Sequence, residues 1–182
     1  MKTISINLPI TEKQILQLRS GDFLEVSGFV YTMRDAAHAK IYQMIQEKKE
    51  LPFNIENAAI YYVGPTPSPN PQLVFGAAGP TTSDRMDKYV PLFLDNGIKI
   101  MIGKGKRSTS VVKSIEKHHA LYLATVGGAG SYLADKIISS KVIAFEDLGT
   151  EAIRLLEIKA FPCIIINDAF GNDFYRGQFL NP

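Results

Sequence analysis

Apolar and polar positions alternate from the start of the chain. Ile4, Ile6 and Leu8 fall on one face with polar neighbours between them, which predicts a strand with one buried side. Thr11 to Gln14, TEKQ, has the capping-box pattern, and Ile15 and Leu18 are spaced for a short helix ending at Ser20-Gly21. Phe23 to Tyr31 is rich in β-forming residues, with a bulge expected at Ser27-Gly28. The period then changes. From about Asp35 to Glu50 the residues Ala37, Ile41, Met44 and Ile45 make one helical stripe. Ala58 to Val63 reads as a strand again, and Gly64 to Pro71, GPTPSPNP, is too rich in proline for either regular element.

The stretch from Gly79 to Gly105 forms the centre of the pattern. An apolar run, Leu73 to Ala78, leads into the Gly79-Pro80 turn, and Thr81, Thr82 and Ser83 are ready helix caps. Met86, Tyr89, Val90, Phe93 and Leu94 recur at helical spacing up to the stop Asn96-Gly97, and Ile98 to Ile102 reads as the next strand. A β-loop-α-β unit is expected. Beyond it the pattern predicts a helix over Ser110 to Lys117, a strand over Ala120 to Val126, and a helix from Gly127 to about Ile138. A strand over Val142 to Phe145, a short helix over Thr150 to Leu156, and a strand over Phe161 to Asn167 follow. The Ala169 to Asn172 turn should then lead to a last strand around Phe174 and Tyr175. Strands alternating with helices predict an α/β fold with a mostly parallel sheet.

Composition narrows the classes. A chain of 182 residues suits one domain with a sizeable core, and 46% hydrophobic with 21% charged residues is an ordinary globular balance. The net charge of +2 gives no case for nucleic acid or an anionic membrane as partner, so any basic site is local. No apolar run reaches the roughly 18 to 20 residues of a membrane span, and MKTISINLPITEK lacks the apolar core of a signal peptide. A cytoplasmic location is expected. The one cysteine, Cys163, permits no internal disulfide and sits in an apolar run, where a buried structural thiol is expected.

Two arginines stand out by position. Arg34 and Arg85 both follow an expected strand and enter an expected helix N-terminus, where the helix dipole disfavours a cation. Lys104 lies between Gly103 and Gly105 just after a strand, where bare backbone lets a ligand approach. In an open α/β sheet such loops share one crevice, so Arg85, Lys104, the Thr81 and Thr82 hydroxyls and helix-end N–H groups could surround a small anion, and Arg34 repeats the placement of Arg85. Alternatively, Arg85 pairs with a surface carboxylate and Lys104 is solvated. His38, one helical turn beyond Arg34, could face the same way. Lys106-Arg107-Ser108 reads as solvated charge or as an addition to the Lys104 field. GGAG and GKGKRS both fail the dinucleotide and Walker fingerprints, and the three histidines show no metal-ligand spacing.

Taken in order, YTMRDAAH (Tyr31 to His38), GPTTSDRMD (Gly79 to Asp87), MIGKG (Met101 to Gly105) and GGAG (Gly127 to Gly130) resemble the β subunit of class I fumarate hydratase and L-tartrate dehydratase, as do EDLGTEAI (Glu146 to Ile153) and FPCIIINDAFGND (Phe161 to Asp173). The resemblance implies a single swivelling β/β/α domain over residues 1–182, three-layered around a mostly parallel central sheet. It also implies an iron–sulfur hydro-lyase of the tricarboxylic acid cycle whose four-iron four-sulfur cluster is held by a separate α subunit, in an α2β2 heteromer. No metal ligand is then expected in this chain. Carried over, the family pattern makes Arg34, Arg85 and Lys104 the groups that hold substrate carboxylates, and places Thr81 near the reacting carbon. A Thr hydroxyl has little basicity of its own, so Thr81 is either a base with a relayed proton or a group that orients substrate or water. Asp84 stands where relatives carry Gly or Ala. Fumarate to (S)-malate is the expected reaction; L-tartrate dehydration, a free-standing dicarboxylate-binding module and an assembly subunit with a dead site are the alternatives.

Overall fold

The computed structural model describes residues 3–177. Its seven strands are β1 (Thr3–Asn7), β2 (Phe23–Thr32), β3 (Ala59–Tyr61), β4 (Ile100–Gly103), β5 (Leu121–Ala124), β6 (Ile137–Ala144) and β7 (Ile153–Asn167). The helices are α1 (Glu12–Ile15), α2 (Asp35–Gln46), α3 (Val90–Asp95), α4 (Thr109–Lys117) and α5 (Gly130–Ala134). β1 to β5 pair in parallel in chain order, whereas β7 runs antiparallel to β2, β5 and β6.

The α/β class is as expected, but the sheet is not an open layer. β7 pairs with β5 through Ile164 and with β2 along Leu155 to Ile164, so β2, β3, β4, β5 and β7 close into a barrel. The physical reason is length: a 15-residue strand can serve β2 on one edge and both β5 and β6 on the other. Closure also removes sheet edges that would otherwise be left unpaired.

Strand alternation divides the apolar residues between two cores. Leu24, Val26, Val30, Tyr61, Ile102, Leu123, Leu156, Phe161 and Ile165 point into the barrel, joined by Ile15 of α1 and Leu133 of α5. Ile60, Tyr62, Met101, Tyr122 and Ile166 point outward, against Ile41 of α2, Phe93 of α3 and Val111 and Ile115 of α4. α1 begins at the expected capping box, and the expected bulge appears as a register shift between Val26 and Gly28.

Several expectations fail for identifiable reasons. The helix expected after Thr81 is split into a 3-10 turn over Ser83–Met86 and α3, because Pro91 has no N–H to donate and its ring opposes the carbonyl four residues back. α2 stops at Gln46, and Lys48 adopts a positive φ of 53°. Leu73 to Ala78 is not a strand; Thr66 bridges to Ala77 and Val63 to Pro80, so the proline-rich segment is an excursion from β3 that returns on itself. α5 ends at Ala134 rather than near Ile138, because Ile137 already pairs with β7. Of the helix expected over Thr150 to Leu156, only Thr150 and Glu151 are helical, at the end of a 3-10 segment (Glu146–Glu151); the spacing of Ile153 and Leu156 imitates a helix, but pairing with β2 and β6 prevails. Phe174 and Tyr175 lie in a 3-10 turn instead of a strand.

Candidate functional site

Parallel pairing of β2, β3 and β4 carries the segments that follow them to one side of the sheet. Arg34 is the residue before α2, Gly64 follows β3, and Lys104 follows β4. The Thr81–Arg85 segment is drawn onto the same place by backbone bonds. Thr81 N–H donates to the Tyr62 carbonyl at 2.7 Å, Lys104 N–H to the Thr81 carbonyl at 3.3 Å, and Ser83 N–H to the Lys104 carbonyl at 2.9 Å. Thr82 and Lys104 thus form a one-residue parallel bridge. Gly103 permits this approach, since a Cβ there would collide with Ser83 Oγ and lie 2.9 Å from Tyr62.

Each cation meets a different environment. Arg85 does not cap a helix; it sits in the 3-10 turn and forks onto Asp35, Nε to Oδ1 at 3.0 Å and Nη2 to Oδ2 at 2.8 Å. The Arg34 guanidinium lies 3.7 Å from Glu151 and packs over Gly64, where a Cβ would come within 2.6 Å of Nη1. Its buried Nε has no hydrogen-bond acceptor among the described residues. Glu151 is held in turn by the Ala36 N–H at 2.9 Å. Lys104 is exposed and forms no ion pair among the described residues. It borders a cleft of ≈ 390 Å³ whose other walls include Phe23, Thr125, Gly127, Cys163 and Tyr175. Backbone contacts therefore join the segments that bear Arg34, Thr81, Arg85 and Lys104, while the two arginines are engaged by carboxylates of their own chain and the cleft beside Lys104 is lined by none of the other three.

His38 is fully buried, stacked on Phe93 and edge-on to Tyr62, each at 5.2 Å between centroids. Its Nδ1 lies 2.9 Å from the Arg34 carbonyl oxygen, which can only accept, so the proton is on Nδ1 and Nε2 is bare. Burial pushes its pKa down to about 3, so the ring is neutral at ordinary pH. Its contact with the site runs through the Arg34 backbone.

Arg107 corrects the sequence reading most sharply. Expected in a solvated patch, it is 1% exposed, with Nε 2.8 Å from Asp87 Oδ1 and its guanidinium over the rings of Tyr122 and Tyr62 at 4.9 and 5.4 Å. No spacing in the sequence distinguishes it from Lys106, which is exposed.

Cys163 is buried, and burial raises its thiol pKa far above the usual range, so it is neither nucleophile nor ready ligand. Among the described residues no three His, Cys, Asp or Glu side chains gather as a metal site, and a lone protonated thiol does not fit a cluster. No helix among the described residues is long and apolar enough to cross a membrane.

Residues 1–178 match the family model described as Fumarase C-terminus. The chain is 39% identical to "Fumarate hydratase class I, anaerobic" of Escherichia coli, over 98% of this chain and 33% of that protein. It is 38% identical to "Fumarate hydratase 2" of Leishmania major, over 94% of this chain and 31% of that protein. A "Putative L(+)-tartrate dehydratase subunit beta" of Methanocaldococcus jannaschii is 34% identical over 92% of this chain and 88% of its own length. The chain thus spans about a third of the fumarate hydratases it matches, and 88% of the relative named as a β subunit. These matches place it: this chain belongs to the Fumarase C-terminus family, shared by proteins named class I fumarate hydratase and L(+)-tartrate dehydratase subunit beta.

Proposed function

We propose that this chain is the β subunit of a class I hydro-lyase that interconverts fumarate and (S)-malate. It supplies the carboxylate clamp at an interface with an α subunit. The observation that carries the reading is the convergence of Arg34, Thr81, Arg85 and Lys104, from loops after three different strands, on one side of the sheet. A cluster has no ligand set among the residues described here, and the proposal assigns the four-iron four-sulfur group to the α subunit. That assignment is supported by a relative of this chain's size whose name is that of a β subunit.

Within the clamp the guanidinium of Arg85 presents the fork that suits a carboxylate, as its hold on Asp35 illustrates. Substrate takes the place of Asp35, and Arg34 and Lys104 hold the other carboxylate oxygens. Proton removal next to a carboxylate builds negative charge on that group, and fixed cations stabilise it most once water is excluded. The Thr81 hydroxyl makes no hydrogen bond among the described residues and is free to orient substrate or to relay a proton. The chain acts as a swivelling domain, so closure against the α subunit dries the site. A cytoplasmic α2β2 assembly completes the proposal.

L-tartrate dehydration is the second reading, favoured by the name of the M. jannaschii relative. Anoxic turnover of fumarate, (S)-malate and L-tartrate by the reconstituted pair separates the two. The proposal expects fumarate and malate to be the faster substrates; turnover of tartrate alone would give the second reading its place.

A further inference from the structure

We propose that Arg107 is a positioning residue for the clamp: buried beneath it, and paired with Asp87, it fixes the Thr81–Arg85 segment against the Lys104 loop. Its catalytic part rests on the hydro-lyase reading; its structural part does not.

A buried ion pair seldom repays the cost of desolvating its charges, so stability alone is a weak account of one whose arginine side chain is 0% exposed and whose aspartate is 15% exposed. Geometry offers a better one. Asp87 lies two residues beyond Arg85; its Oδ1 faces Arg107 while its Oδ2 accepts the Ser108 N–H at 2.7 Å, tying the Arg85 turn to the entry of α4. The two rings that face the Arg107 guanidinium hold the remaining parts. The Tyr122 hydroxyl bonds the Gly105 carbonyl and Ser83 Oγ, each at 2.9 Å. The Tyr62 carbonyl accepts the Thr81 N–H, and its ring meets His38, which bonds the Arg34 carbonyl. Every segment that bears a clamp residue therefore touches a group in contact with Arg107. Arg107 is too enclosed to reach substrate, and Asp87 neutralises its charge, so it acts through the placement of others.

The test uses the full chain with Arg107→Met and Arg107→Lys. In amide hydrogen exchange of the chain alone, Arg107→Met is expected to speed exchange about tenfold at residues 81–87 and 104–108 and leave β4 and β5 unchanged. In the assembled enzyme it is expected to raise the fumarate KM about tenfold, and adding Arg85→Lys to cost less than the product of the single effects. If Arg107→Met does not fold, Arg107→Lys carries both measurements with smaller effects in the same segments. Uniformly faster exchange, unchanged exchange, or a lower melting temperature with unaltered KM would overturn the proposal. Absence of turnover in the wild-type assembly would count against the hydro-lyase reading alone, since the exchange measurement needs no activity.

Discussion

The Arg85 guanidinium is forked onto the carboxylate of Asp35, with Nε and Nη2 at 3.0 and 2.8 Å from the two oxygens. A side chain proposed to hold a substrate carboxylate thus already holds one, across the start of α2. The pair is half exposed, so its own worth to stability is small. Asp35→Asn is expected to cost less than about 1 kcal/mol of unfolding free energy, by urea titration, and to lower the substrate KM in the assembled enzyme. A raised KM would show that Asp35 orients Arg85 for substrate instead of competing for it.

Arg85→Lys keeps the charge and loses the fork. The expected loss is about 1.5 to 3 kcal/mol of transition-state stabilisation, read as kcat/KM of the assembled enzyme. Unchanged kinetics would remove Arg85 from the site.

Buried neutral His38 makes stability depend on pH. Burial holds its folded pKa at about 3, below the unfolded value of 6.5, so the unfolded chain binds the proton first. Stability should be undiminished above about pH 6.5 and fall as pH drops from there toward 3, by up to about 1.4 kcal/mol per pH unit. The window from 6.5 to 5 is the clearest, because carboxylates titrate below it. Urea midpoints of His38→Gln should be flatter than wild type across that window; parallel curves would show that His38 is not the group responsible.

Gly103→Ala places a methyl group where Ser83 Oγ and Tyr62 already lie. Pushing the Thr81–Arg85 segment away should cost about 1 to 3 kcal/mol by thermal melting and weaken substrate binding as well. Cys163→Ala, by contrast, is expected to leave iron per assembled complex unaltered. Fewer irons would contradict the division of labour between the subunits.

The proposed clamp residues stand out in the sequence because a cation between a strand and a helix start is unusual, which holds for Arg34 but not for Arg85 in its 3-10 turn, and because Gly103 and Gly105 flank Lys104. Capping and alternation also marked α1, β2 and the bulge before Gly28. What was not legible depended on distant pairing. Nothing local in Ile153 to Leu156 distinguishes a helix turn from the start of a strand that closes a barrel. Pro91 is a local signal, and it breaks the helix that would have carried Arg85. Arg107 reads as surface charge because its partner Asp87 and its two tyrosines come from other strands and turns.

The most direct test of the central claim is anoxic fumarate hydration by three samples: this chain alone, a cluster-loaded α subunit alone, and the two combined. Turnover is expected only in the combined sample, and is lost when Arg34, Arg85 and Lys104 are neutralised together. Turnover by the α subunit without this chain, or by the triple variant at the wild-type rate, would contradict the central claim.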